Sequence, residues 1–290
     1  RCEPIVSRSF RSLIRLVPAR IVCAAYLLIT AVCANAVPSL ALPGQHHTSW
    51  AFAEGAPADV WALAQAPDGY LWLGTGSGLH RFDGERFEPV PLAAGQSLPS
   101  QNITALTVTP DGAAWIGSYA AGIAYLQHGR VRHYGVDDGL PEGMVYRIVV
   151  DPDGTTWAAI DGGLARHRDG RWQTMTEQIG YPWKHADWLL LDRDGTLWVS
   201  TGNTIAKLPR GDTLFRTTGV LSALNAVIAQ APDGAIWVSD VHGTRVVHGE
   251  PAGELRAIPE LEAKRALFHD DGTLWGTDAR QGGAFRVSMS

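Results

Sequence analysis

Cysteine is nearly missing from this chain of 290 residues: its three cysteines, Cys2, Cys23 and Cys33, all fall within the first 36 positions. Past them no thiol is left to build a disulfide framework or a thiolate metal site, so stability there must come from packing. The sequence also lacks a surplus of positive charge. Beyond residue 36, acidic residues outnumber basic ones by 28 to 19, a net charge of about −9 with histidine neutral. A surface so acidic repels a polyphosphate backbone, and no nucleic-acid partner is expected. Nor does a second long apolar run follow the N-terminal one.

Catalytic motifs are absent as well. There is no His-Glu-x-x-His, no Gly-x-Ser-x-Gly elbow and no P-loop. Gly74-Thr75-Gly76-Ser77-Gly78 falls within a strand-turn-strand pattern and lacks the helix a phosphate cradle requires. The Asp-x-Asp-Gly segments at Asp151 to Gly154 and Asp192 to Gly195 start like calcium loops but lack the later ligand positions and the terminal Glu, so they read as hairpin turns. The Asp-x-Gly-x-x-Trp box of sialidases is out of step with the aspartates here. Ten histidines show no metal spacing and read as surface or hydrogen-bonded residues. No catalytic residue, metal or cofactor is expected.

What is present begins with a leader. Arg8, Arg11, Arg15 and Arg20 precede an apolar run from Ile21 to Val32, and Ala34-Asn35-Ala36 supplies the small residues of a cleavage site. Residues 1–36 are therefore expected to be a signal helix, either a signal peptide cut after Ala36 or an uncleaved signal anchor. The run of about 12 apolar residues is short for a span of roughly 20. Val32 is a poor residue to precede a lipidated cysteine, which argues against lipid attachment at Cys33. Export to the periplasm follows, and residues 37–46 read as a linker.

From about residue 47 one pattern occurs six times: Asp-Gly, two residues, then Trp. It stands at Trp72, Trp115, Trp157, Trp198, Trp237 and Trp275, at intervals of 43, 42, 41, 39 and 38 residues. Such a period suits four short strands with their turns, the size of a propeller blade. In the first repeat Val60 to Ala64 reads as a buried strand ended by Ala66-Pro67-Asp68-Gly69. Tyr70 to Thr75 and Leu79 to Phe82 follow, Asp83-Gly84 reads as a two-residue hairpin turn, and Glu85 to Val90 is the outer strand. The pattern predicts an all-β fold over 47–290, a β-propeller of about six four-stranded blades preceded by the N-terminal signal helix. A blade is too thin to bury both faces alone, so the six tryptophans are expected between blades. The sixth repeat stops after its third strand, near Ala284 to Val287, whereas Thr48 to Phe52 lies where an outer strand would sit. Either that segment completes the last blade and closes the ring, or the chain is part of a longer ring. The first residue, Arg where Met would stand, is read as the mark of a fragment.

Trp61 to Thr75 (WALAQAPDGYLWLGT) followed by Gly78 to Phe87 (GLHRFDGERF) resembles the two-component regulator propeller repeat, and Asp138-Gly139-Leu140-Pro141 resembles the linker that leads into such a blade. The likeness runs from about residue 47 to the end. It weakens in repeats four to six, where Trp198-Val199-Ser200-Thr201 and Trp237-Val238-Ser239 replace the Trp-x-Gly-Thr ending. It implies the periplasmic sensor region of a hybrid histidine kinase whose full-length parent sits in the inner membrane. These 290 residues hold no phosphoacceptor-histidine helix, nucleotide-binding domain or receiver, so kinase activity is not expected in this chain. A homodimer through the full-length receptor is a further expectation.

Propellers bind ligands at the axial mouth, which by analogy selects residues at the starts of inner strands and in the neighbouring loops. These are Asp59, Trp61, Asn102, Tyr119, Tyr146, Arg147, Asn225, Asp240 and His242, together with Trp183, Lys184, His185 and Asp187 from the aromatic-rich Tyr181 to Trp188 segment. Polar and aromatic groups in a ring suit a small polar ligand such as an oligosaccharide, or a partner protein. They equally suit a water-filled channel, and two of the aromatics in Tyr181 to Trp188 could cap the blade. A propeller lyase or hydrolase acting on glycans and a protein-binding scaffold are the alternatives to a sensor.

Overall fold

The computed structural model describes residues 50, 52–249, 256–278 and 284–288. The expected leader and linker, and most of Thr48 to Phe52, lie outside the described residues. One compact unit spans Trp50–Ser290. Among the described residues no helix is long and apolar enough to cross a membrane.

The fold is all-β. Blade one is Val60–Gln65 (β1), Leu71–Thr75 (β2), Gly78–Phe82 (β3) and Phe87–Pro89 (β4). Blade two is Ile103–Val108 (β5), Ala114–Ser118 (β6), Ile123–Gln127 (β7) and Arg130–Tyr134 (β8). Blade three is Val145–Val150 (β9), Thr156–Ile160 (β10), Gly163–Arg168 (β11) and Arg171–Thr174 (β12). Blade four is Trp188–Leu191 (β13), Leu197–Ser200 (β14), Thr204–Leu208 (β15) and Arg216–Leu221 (β16). Blade five is Val227–Gln230 (β17), Ile236–Asp240 (β18), Gly243–His248 (β19) and Ala257–Ile258 (β20). Blade six is Ala263–Phe268 (β21), Thr273–Asp278 (β22) and Ala284–Ser288 (β23). Each is an antiparallel meander, four-stranded in blades one to five and three-stranded in blade six.

The repeated turn explains the repeated meander. In each of the six Asp-Gly turns that precede a repeat tryptophan the glycine takes a positive φ of 80° to 91° and returns its amide to the carbonyl three residues earlier, a conformation that only glycine adopts without strain. In five of the six the aspartate side chain completes the turn by accepting an amide two residues on, as Asp153 does from Thr155 at 2.8 Å, while in repeat four Asp192 accepts the Thr196 amide instead. The outer hairpins divide. His128-Gly129 and Asp169-Gly170 are two-residue loops with both residues at positive φ. Asp83-Gly84 is not, because Phe82 pairs with Phe87 and the Asp83 carboxylate accepts the amides of both Glu85 and Arg86 at 2.8 Å. That Asx turn lengthens the loop to four residues and shortens the expected outer strand.

All six repeat tryptophans stand at one register position, opposite Ala64, Thr107, Val149, Leu190, Ala229 and Leu267 of their inner strands. The first five are buried, and their rings meet the next blade: Trp115 on Trp172, Trp157 on Phe215, Trp198 on His248, Trp237 on Phe268. Five apolar clusters fill the five interfaces between consecutive blades. Blades approach so closely that a Cβ on Gly117 would lie 2.5 Å from Val145, which leaves glycine as the residue that fits there.

The sixth interface differs. Leu63 of β1 is 56% exposed, whereas Leu106, Ile148, Leu189 and Ile228, its counterparts in blades two to five, are 1–7% exposed. Val60 is likewise exposed, and Trp275 is only half-buried. Trp50 packs edge-on against Phe82, 4.8 Å between centroids, and beside Phe87, while Phe52–Glu54 winds into a single 3-10 turn closed by Gly55. The described part of the N-terminal segment thus sits on the outer aromatics of blade one, where Phe82 and Phe87 stack at 4.3 Å, and adds no strand to blade six.

Candidate ligand site at the axial mouth

All six inner strands, or the loops entering them, line one cavity of about 370 Å³. Trp61, Tyr146, Asp187, Asn225 and Asp240, five of the residues expected at the mouth, face it. Trp188, Leu224, Val241, Glu262, Lys264 and Arg265 line it too and were not among them. Asp59, Asn102, Tyr119, Arg147, Trp183, Lys184, His185 and His242 are not part of the lining. Tyr119 and Asn102 occupy an exposed rim, joined by a bond from the Tyr119 amide to the Asn102 carbonyl.

The Tyr181 to Trp188 segment splits in its roles. Tyr181 is fully buried between blades three and four with Phe215 and Trp183 against it. Burial pushes its phenol far above the ordinary tyrosine value, so it stays protonated and donates to the His185 carbonyl at 2.7 Å. Those two aromatics are core, and they turn Lys184 outward. The third, Trp188, opens β13 and donates its indole N–H to the Ile228 carbonyl at 3.0 Å.

Two buried carboxylates lie beneath the mouth, each saturated by its own partners. Asp187 meets His185 Nε2 through Oδ1, and its Oδ2 accepts the Asn225 amide at 3.0 Å and the Ser200 hydroxyl at 3.5 Å. Asn225 reaches it from a left-handed φ of 61°. His185 Nδ1 faces the Asp161 carbonyl at 2.9 Å, so both ring nitrogens have acceptors. Burial opposes a charge on that ring, but the Asp161 carbonyl and the Asp187 carboxylate outweigh it and raise its pKa. Asp240 accepts a fork from Arg245, at 2.8 and 3.0 Å, and the amides of His242 and Ala223 at 2.8 and 3.0 Å. Burial alone would push this carboxyl up; the guanidinium and amides hold it below the ordinary range. Tyr146 stands on the Asp187 side, with His185 beside its ring and Asp161 3.5 Å from its hydroxyl.

Arg265 lines the cavity, and Arg147, outside the lining, meets it at the Trp188 ring. Counted back two residues from the strand partner of each repeat tryptophan, Arg147, Trp188 and Arg265 hold the same position in blades three, four and six. Both guanidinium carbons come to the Trp188 ring, at 4.9 and 5.0 Å from its centroid. Arg265 reaches it from blade six, with blade five between them in chain order. That equivalence was the signal in the sequence that could have added Trp188 and Arg265 to the expected site. Among the described residues no group of histidine, cysteine or acidic side chains is placed to hold a metal ion.

Six meanders with inner strands around one axial cavity define the class: an all-β six-bladed propeller. Residues 55–77 and 97–120 match the family model described as two component regulator propeller, and the chain carries that repeat. No curated protein matches it. Among solved structures, the extracellular domain of a candidate one component system of B. thetaiotaomicron is similar at 18% identity and a TM-score of 0.63, over 80% of this chain and 33% of that one. The extracellular domain of a candidate hybrid two component system of the same organism is similar at 17% identity and a TM-score of 0.54, over 84% and 42%. Virginiamycin B lyase from Staphylococcus aureus is similar at 16% identity and a TM-score of 0.58, over 80% and 85%. The chain spans about a third of the length of the first of these, and likenesses at such identities concern the fold.

Proposed function

We propose that this propeller is the sensory input module of a two-component system, exported to the periplasm, that recognises a small polar ligand at its axial mouth. In a full-length parent anchored in the inner membrane, occupancy of the mouth would be passed to a histidine kinase core. The repeat and the extracellular sensor domains of like fold support the sensory part of this reading. The observation that carries the binding part is the state of the mouth's carboxylates. Asp187 and Asp240 are each locked by at least three donors, whereas general acid–base chemistry needs a carboxyl free to take and return a proton. Fixed polar groups around a preformed cavity suit recognition.

The competing reading is a propeller enzyme, favoured by the lyase of like fold and by the His185–Asp187 pair beside the cavity. Thermal-shift screening of the chain against oligosaccharides and metabolites, with product analysis on every hit, separates the two. Saturable stabilisation without turnover is expected, and ligand at 100 times its dissociation constant adds about 2.7 kcal/mol. Product formed from any hit rejects the sensory reading.

A further inference from the structure

The cations of the mouth have no counter-charge, although the chain as a whole has an excess of acid, 29 acidic against 24 basic residues. No carboxylate lies within ion-pair distance of Arg147 or Arg265 among the described residues. Arg265 donates only to backbone, the Lys264 carbonyl at 3.0 Å and the Trp61 carbonyl at 3.4 Å, and the contact described for Arg147 is the Trp188 ring. Both residues are exposed, yet enough protein packs around them that desolvation lowers the pKa of each. For Arg147 the charge of Arg265 adds to that effect. Lys264, next in the chain to Arg265, lines the same cavity. Of the acids lining the cavity, Asp187 is paired with His185 and Asp240 with Arg245.

Gathering like charges around one indole is costly unless an anion sits among them. A guanidinium offers a carboxylate or sulfate two parallel donors while its face stays on an aromatic ring. The exposed indole of Trp61 across the cavity presents a flat apolar wall. We propose that the mouth takes a small organic anion, with its carboxylate or sulfate held by Arg265 and Lys264, the charge of Arg147 on the same indole adding to theirs, and its hydrocarbon or sugar face lying on Trp61. This deepens the binding reading above and rests on it.

The test uses matched pairs differing only in charge: glucuronate against glucose, benzoate against benzyl alcohol, and a sulfated against an unsulfated sugar, with inorganic sulfate and phosphate as separate arms. Calorimetry at constant ionic strength is expected to give saturable binding for the acidic member of a pair and none for the neutral one. Arg265→Gln should weaken it about tenfold or more and Arg147→Gln by a smaller factor, and Arg265→Lys should weaken it less than Arg265→Gln. Circular dichroism and melting temperature show whether the variants fold, and binding is read only on those that do. Neutral members bound as tightly as acidic ones, with affinity indifferent to both substitutions, would overturn the anion proposal while leaving the sensor reading intact. Acidic binding that survives both substitutions would overturn it as well, since the charge would then be met elsewhere. Binding of sulfate or phosphate alone, without the organic anions, would contradict the role of the aromatic wall. Absence of binding in every arm would sink the proposal and the binding reading together.

Discussion

Leu106 and Leu63 hold the same register position in blades two and one, two residues before the end of the inner strand, yet one is 7% and the other 56% exposed. Leu106 is covered by Trp72 and its neighbours in the preceding blade; Leu63 has no such cover. The same contrast separates the buried Trp157 from the half-buried Trp275. A repeat therefore specifies what its faces need, whereas the neighbour decides whether the need is met. In a radial array stability is carried by nearest-neighbour interfaces, and here five of them carry it while the seam between blades six and one contributes little.

Trp157→Ala should be the most damaging change, about 3–5 kcal/mol from cavity formation between blades three and four. Trp275→Ala should cost roughly half that or less, because a half-buried ring has less to lose. Chemical denaturation of both variants checks the pair, and equal losses would mean that the seam is packed in solution. One step smaller, Leu189→Ala is expected to cost about 2–4 kcal/mol and Leu63→Ala under about 1 kcal/mol. A large loss at Leu63 would locate a cover over β1.

The smallest effects follow pH and compare the mouth with the turns. His185 has a raised pKa, so its bond to Asp187 contributes fully below the ordinary value near 6.5 and is lost as pH rises through the folded value. A fall in melting temperature on the order of 1–3 °C is expected above that point, and it should be missing in His185→Gln. The turn aspartates act in the opposite sense. Asp111 and Asp153 are held low by their turn hydrogen bonds, and the Thr273 hydroxyl and amide bring Asp271 down to about 2. Their contribution is present above the ordinary carboxylate value of 3.8 and disappears as pH falls from there towards 2. Proton-detected titration of His185 and melting curves across both ranges distinguish the two groups.

Much of the fold was legible because each repeat carries its own instructions. An Asp-Gly turn needs nothing distant to form, and period-two apolar runs on either side fix which side of the strand Trp72 or Trp157 must face. The site was less legible. Tyr119 and Lys184 were selected by their place in loops, but loop direction depends on how neighbouring side chains pack; Tyr181, plunging into the core, turns Lys184 away from the axis. Trp188 closed a segment singled out for its aromatics yet was not carried into the site, and Arg265 was not selected at all, because the two stand 77 residues apart and only folding brings them together.

The sequence by itself determined the number of blades, the register of their tryptophans and the chemistry of their turns, since these depend on contacts within about 40 residues. Only the tertiary structure decided that Arg147 and Arg265 converge on Trp188, that Asp187 and Asp240 are already satisfied, and that Leu63 is left uncovered. Each of those facts depends on where separate blades end up around a shared axis, and radial placement is set by packing between units that no local pattern encodes.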